Sequence, residues 1–233
     1  YDDDAREYLS EFLSEHPVVP GQQLGARQAL QLADVHFNIG DILSGQRDHR
    51  GAFSHFKAAA HFNPQSARMR SRQALATAEV GDTDLAKNLA KQMNSEKPNN
   101  PDRLTLLGDV LVIAGEKGPA INAYNAALKI NPRTIPAINS LAWIHATSTE
   151  DSLRDGDRAV ELAEFLMKAP GARENPEFLM TLAAAHAETG NATKASSVVR
   201  AALAHARRQA NKGIMARLEV VSGKILKSQP VRD

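Results

Sequence analysis

Small and apolar residues recur along this chain with a period of 34 residues, and proline marks the end of each period. Three prolines lie 34 residues apart: Pro64, Pro98 and Pro132. If proline takes position 32, the units begin at residues 33, 67 and 101, and position 8 is small in each: Gly40, Ala74 and Gly108. A fixed period of this length indicates a stack of similar supersecondary units.

Each unit has the pattern of two antiparallel helices. Apolar residues at positions 20, 24 and 27 share one helical face, and in the first unit they are Ala52, Phe56 and Ala59. Glycine at position 15, as at Gly81 and Gly115, predicts a C-cap between the two helices. We expect only glycine or alanine to fit at position 8, where the helices cross closely, and proline at position 32 to end the second helix.

The same register continues in both directions. A fourth unit begins at Ile135 and has an expanded turn, and a fifth begins at Pro176. Tyr1–His16 has the pattern of a second helix without its first, so we expect the chain to be the C-terminal portion of a longer protein. The predicted segments are 1–17, a half repeat; 18–32, an insertion with an extended helix; repeats 33–66, 67–100, 101–134, 135–175 and 176–207; and 208–233, a capping helix and tail.

The third unit carries the fullest set of matching positions: Pro101-Asp102-Arg103-Leu104, Leu107-Gly108, Leu111, Ala120, Tyr124, Ala127 and Pro132. This combination resembles the tetratricopeptide repeat, a helix–turn–helix unit of 34 residues. The resemblance implies an all-α fold, a right-handed superhelical solenoid with a C-terminal capping helix. The composition favours the same class, since 38 of the 233 residues are alanine, the strongest helix former.

A second resemblance covers residues 139–163 and 181–188, which contain the runs Leu-Ala-Trp, Leu-Arg-Asp-Gly and Ala-Val-Glu-Leu-Ala. These runs resemble a repeat block of bacterial, planctomycete-like multi-repeat proteins. In such proteins the block follows further repeats or a catalytic domain, such as a sulfatase or a glycosyltransferase. The resemblance therefore implies the repeat region of a larger bacterial protein.

Composition and motifs argue against catalysis. The chain has no cysteine, which excludes disulfides, zinc–thiolate sites and cysteine nucleophiles, and it has no phosphate loop or His-Glu-x-x-His motif. His49, His55 and His61 do not share a helical face and are predicted to be solvated. Lys and Arg total 28 against 27 Asp and Glu, and the basic region 194–233 lacks interleaved aromatic residues. We predict no catalytic residue, metal site or cofactor, no nucleic-acid binding and no membrane insertion.

In proteins of this repeat family the first helix of each unit lines a concave groove. The resemblance implies these candidate ligand-binding residues: Asp34, Phe37, Asp41, Arg68, Ser71, Asp102, Thr105, Asp109, Asn139, Trp143, Glu177 and Met180. The aspartates at positions 2 and 9 of the first and third units lie two helical turns apart, so we expect an acidic wall that attracts Lys or Arg of a partner. Trp143 belongs either to this groove or to the core.

These features favour a non-catalytic scaffold that binds a protein, as a peptide or helix in the concave groove. Two alternatives stay open. One is a regulatory or substrate-presenting region of a larger enzyme whose catalytic domain lies upstream, and the other is self-association into a homo-oligomer. The sequence does not fix the cellular compartment.

Overall fold

The computed structural model describes residues 2–17, 24–210, 212–227 and 229–233. Within these residues the secondary structure is helical and contains no strand, which confirms the predicted all-α class. The chain forms two units, one up to Glu96 and the other from Lys97 to Asp233. Of the predicted insertion, residues 18–23 lie outside the described part of the chain.

The described helices pair into hairpins. The first unit contains α1 (Asp2–Glu15), α2 (Ala26–Gly45), α3 (His49–Phe62), α4 (Ala67–Glu79) and α5 (Thr83–Glu96). The second contains α6 (Pro101–Ile113), α7 (Lys117–Ile130), α8 (Ile135–Thr147), α9 (Gly156–Leu166), α10 (Pro176–Glu188), α11 (Ala192–Arg208) and α12 (Lys212–Leu226). The pairs α2–α3, α4–α5, α6–α7, α8–α9 and α10–α11 are hairpins of a first helix A and a second helix B.

Asparagine–proline pairs start two of the A helices. The Asn100 side chain accepts hydrogen bonds from two backbone N–H groups in the first turn of α6, at 2.9 and 3.2 Å. Asn175 does the same in the first turn of α10, at 2.9 and 3.3 Å. The proline after each asparagine occupies a position whose N–H would have no helical acceptor. Local sequence therefore fixes where these helices begin.

Glycine in the left-handed region ends several A helices. Gly81, Gly115 and Gly190 have φ angles of 94°, 80° and 75°. In each case the next N–H bonds to a carbonyl five residues earlier, at 2.8–3.1 Å, as in a Schellman motif. The predicted C-caps at Gly81 and Gly115 are confirmed. In the first hairpin Arg47 occupies the equivalent position, with φ at 63°.

Glycine also allows two hairpins to close around an aromatic ring. A Cβ atom on Gly40 would lie 2.7 Å from the Phe56 ring, and one on Gly108 would lie 2.5 Å from the Tyr124 ring. The small residue predicted at position 8 is therefore a steric requirement in both hairpins. Repeats with alanine at position 8, which are Ala74, Ala142 and Ala183, carry a smaller buried residue at position 24: Ala90, Ala163 and Val199.

The last helix covers the end of the second unit. α12 packs against both α10 and α11, which is the position of helix A in a following repeat. It buries one apolar stripe, made of Ile214, Leu218, Val221 and Ile225. This stripe joins a core that extends from α6 to Val231. Capping of this kind keeps the terminal apolar face of a repeat array away from water.

Candidate ligand-binding site

The A helices of the second unit contact one another side by side. α6 packs against α8, α8 against α10, and α10 against α12, while each B helix packs between two A helices. Side chains from four helices therefore meet on one surface, which we call the A face.

A cavity of about 200 Å³ lies on the A face. Its lining includes four of the predicted binding residues, Asp109, Asn139, Trp143 and Glu177, together with Ser140, Thr181 and Arg217. Asp102 lies outside this cavity and is exposed in the first turn of α6. The structure thus brings residues of α6, α8, α10 and α12 to one place.

Asp109 lies at the floor of the cavity, and its carboxylate is hydrogen-bonded within the protein rather than open to solvent. Its carboxylate accepts a hydrogen bond from the Tyr124 hydroxyl at 2.7 Å and a longer one from Ser140 at 3.5 Å. Burial raises the pKa of Asp109 to about 6, although these two hydrogen bonds oppose the rise. Burial also raises the pKa of Tyr124, and the neighbouring carboxylate adds to this. Through this hydrogen bond with Tyr124, Asp109 stabilises the packing of α7, the helix B of this hairpin, against α6, its helix A.

The upper part of the cavity combines an indole ring with paired polar groups. Trp143 is half-buried, and the Arg217 guanidinium lies 6.0 Å from the centre of its ring. Arg217 also pairs with Glu177 at 3.2 Å. The Asn139 side-chain oxygen accepts a hydrogen bond from the Thr181 hydroxyl at 2.8 Å. Trp143 therefore lies at the boundary between the core and the A face.

Residues 229–233, which we call the strap, lie against the same face without regular secondary structure. The Trp143 indole N–H donates a hydrogen bond to the Asp233 carboxylate at 2.7 Å. A second cavity of about 200 Å³ is lined by Trp143, Met180 and Arg217 together with Val231 and Asp233 of the strap. Met180 also lines this cavity, but it is 1% exposed and belongs to the hydrophobic core of the second unit, which corrects its assignment to the groove.

Two further predicted binding residues belong to the core. Phe37 is 3% exposed and packs edge-on against Phe56, with the ring centres 5.6 Å apart. Thr105 is 5% exposed, and its hydroxyl donates to the Pro101 carbonyl one turn earlier, at 2.8 Å. Neighbouring helices enclose both side chains, which corrects their assignment to the groove.

The predicted residues of the first unit form an ion-pair cluster. Arg72 binds the Asp41 carboxylate at 2.6 Å, and Arg68 lies 3.9 Å from it. The Arg68 guanidinium also stacks over Phe37, 4.1 Å from the ring centre. Asp34 is exposed, and the Ser71 hydroxyl donates to a carbonyl of its own helix at 2.8 Å. Because Asp41 is paired with arginine and Asp109 accepts from Tyr124, neither contributes a free carboxylate to the predicted acidic wall.

A histidine pair lies between α2 and α3 of the first unit. The Nδ1 atoms of His36 and His55 are 3.1 Å apart. Burial, followed by the charge of His55, lowers the pKa of His36 to about 4. Burial also lowers the pKa of His55, against the opposing charge of Asp48. His55 is thus half-buried and packed against a second imidazole, which corrects the expectation that it is solvated.

Several residues of the A face were not among the predicted ones: Ser140, Thr181, Arg217, Lys224 and the strap. Arg217 and Lys224 lie seven residues apart on the capping helix, so their spacing places them on one face. That spacing could have indicated a basic edge. Nothing in the periodic pattern indicates the strap, because it lies outside every repeat.

Among the described residues, no group of three His, Asp or Glu side chains is placed to hold a metal ion. In the same part of the chain, no helix has both the length and the apolar character needed to cross a membrane.

Residues 101–134 match the family model described as tetratricopeptide repeat. These residues are the α6–α7 hairpin with the turn that follows it. No curated protein matches the chain. The planctomycete-like origin and the larger protein implied by the second resemblance stay predictions.

The fold is similar to that of several solved structures. A thermophilic TPR protein of Thermus thermophilus, TTC0263, has a TM-score of 0.66 and 20% identity, over 84% of this chain and 99% of that one. The APC/C hetero-tetramer Cut9–Hcn1 has a TM-score of 0.62 and 16% identity, over 97% of this chain and 40% of that one. Yeast Tom70 has a TM-score of 0.58 and 12% identity, over 88% and 45%. At such identities the likeness shows the fold, which is that of tetratricopeptide-repeat solenoids.

Proposed function

We propose that this chain is a non-catalytic interaction module, and that its second unit binds an extended segment of a partner protein across the A face. The observation that carries the proposal is the cavity at Trp143. There an indole ring, an amide at Asn139 and the Glu177–Arg217 ion pair come from three neighbouring helices. A chain that crosses those helices would meet all of them.

The chemistry of the cavity suits a peptide. Tryptophan is enriched among the residues that dominate binding energy, because its large ring buries much area at little entropic cost. Paired polar groups around such an anchor fix the register of a bound chain. Asp109 and Tyr124 lie beneath and hold the two helices of their hairpin together, so the floor is preorganised.

The comparisons support the same class of function. The Cut9–Hcn1 structure is a hetero-tetramer, so a protein of this fold takes part in an assembly with another protein. Self-association and a role inside a larger enzyme stay predictions. Light scattering of the purified chain tests the first of these.

A random peptide library displayed on phage tests the proposal. It is selected on the full chain and, in parallel, on the variant V231S/R232S/D233S, in which the side-chain contacts of the strap are removed. Selected peptides are then measured against W143A and against F165A. Phe165 is a matched aromatic control, because it lines a different cavity, between the B helices α7 and α9.

We expect peptides whose affinity falls at least tenfold in W143A and stays within twofold in F165A. Peptides whose affinity falls in F165A but not in W143A would show that the binding site is the cleft between α7 and α9. The absence of enriched peptides on both forms of the protein would refute peptide binding.

A further inference from the structure

The strap inserts one apolar side chain into the second unit. Val231 is 4% exposed and belongs to the same core cluster as the capping stripe of α12. Gln229 precedes it and donates its backbone N–H to the Lys224 carbonyl at 2.9 Å. The strap therefore leaves the end of α12 and turns back onto the A face.

The end of the strap is held by side chains and backbone of neighbouring helices. The Trp143 indole donates to the Asp233 carboxylate, and the Asp233 N–H donates to the Thr147 carbonyl at 2.8 Å. The Lys117 ammonium donates to the Asp233 carbonyl. Asp233 is thus bound through its side chain, its N–H and its C=O. An extended ligand without secondary structure of its own would be bound through the same kinds of group.

Arg232 is held from a third direction. Its guanidinium pairs with Glu188 at the end of α10, at 2.6 Å. Glu188 also accepts from Arg154 at 3.0 Å, so one carboxylate lies between two arginines. The Lys224 ammonium donates to the Arg232 carbonyl at 3.0 Å. Each residue of the run Val231-Arg232-Asp233 therefore has its own site on the unit.

We propose that the strap is a tethered competitor for the A face, and that the partner segment carries the same order of side chains: apolar, basic, acidic. This inference rests on the proposed function. The docked strap forms part of the lining of the second cavity, and its Asp233 carboxylate accepts from the indole N–H that an incoming acidic residue would need. A short tether gives it an effective concentration on the order of millimolar, so only a better-matched segment displaces it.

Trp143 reports on this contact directly, because it is the only tryptophan in the chain. The probe is a synthetic peptide with the sequence Gln-Pro-Val-Arg-Asp, added to the full chain and to V231S/R232S/D233S. The control peptide has serine at the positions of Val231 and Asp233. Circular dichroism verifies that the variant is folded, and Q229S serves as the exposed control substitution.

We expect the emission of Trp143 to shift to longer wavelength in the triple variant and to stay unchanged in Q229S. The peptide should reverse the shift saturably, with at least tenfold weaker binding to the full chain and no response to the control peptide. Identical emission from variant and full chain, equal affinity for both, or no binding to the variant would each overturn the inference. If library peptides then bind the variant in a Trp143-dependent manner while the strap peptide does not, the proposed function stands and only the competitor role falls.

Discussion

The substitution G108A tests the helix crossing on which the α6–α7 hairpin depends. The new Cβ atom would lie 2.5 Å from Cε1, 2.7 Å from Cζ and 2.8 Å from Cδ1 of Tyr124. The ring has no free space to move into, because Tyr124 is 1% exposed and its hydroxyl is bonded to Asp109 at 2.7 Å. The hairpin must therefore open, or the Tyr124–Asp109 hydrogen bond must break.

The expected magnitude is the difference between two opposing effects. Alanine stabilises a helix interior by about 1 kcal/mol relative to glycine. Overpacking a core costs about 1–3 kcal/mol, and three ring contacts below 3.0 Å place this case near the upper end. We therefore expect G108A to lower the free energy of unfolding by about 2 kcal/mol, which corresponds to roughly 4–8 °C in the melting temperature.

Urea denaturation followed by circular dichroism at 222 nm measures this difference. The matched control is G223A on α12, where no heavy atom lies within 4 Å of the added Cβ. That variant should be up to about 1 kcal/mol more stable than the parent. In a Y124A background the loss caused by G108A should vanish, because the clashing ring is gone. Equal losses with and without Tyr124, or an undiminished stability of G108A, would refute the steric reasoning.

Three further predictions concern single residues. The pKa of Asp109 is about 6 in the folded chain and 3.8 in the unfolded chain, so the free energy of unfolding should fall by at most about 3 kcal/mol as the pH rises through that window. D109N should flatten the pH dependence of the urea midpoint, and an unaltered profile would contradict the assignment. The pKa of His36 is lowered from 6.5 to about 4, so the first unit should lose stability as the pH falls through that range. H36Q should lose less stability over the same range, and an equal loss in the variant would exclude the His36–His55 pair as the source. R47G should gain about 0.5–1 kcal/mol, because Arg47 holds a left-handed φ of 63° that glycine adopts freely; a lower urea midpoint would show that the arginine contributes contacts that outweigh this strain.

Local and periodic features of the fold were predictable from the sequence. The 34-residue spacing of proline, the small residue at position 8 and the glycine caps each act within one hairpin, so the helical class and the caps followed from pattern alone. The prediction that Phe37 lines the groove is wrong, because the family pattern gives only a position on the helix, whereas burial of the side chain depends on how closely Phe56 approaches across the hairpin.

The polar contacts of the candidate site were less predictable. Asp41 pairs with Arg72 and Asp109 with Tyr124 between different helices, and the paired residues are 31 and 15 positions apart in sequence. Such pairs depend on side-chain length and on the exact crossing of two helices, which a repeat register does not contain. The sequence indicates Trp143 as a candidate but does not assign it to the groove or the core, because its side chain takes part in both.

The expanded turn between α8 and α9 predicts which residues should vary together among related sequences. Arg154 comes from that turn, and it shares the Glu188 carboxylate with Arg232 of the strap. A related array that lost the extra turn residues would lose one of the two arginines that hold Glu188 in place. We therefore expect the turn insertion and the arginine of the strap to be gained and lost together among relatives. A strap transplanted onto another repeat array would dock there only if this turn were transplanted with it.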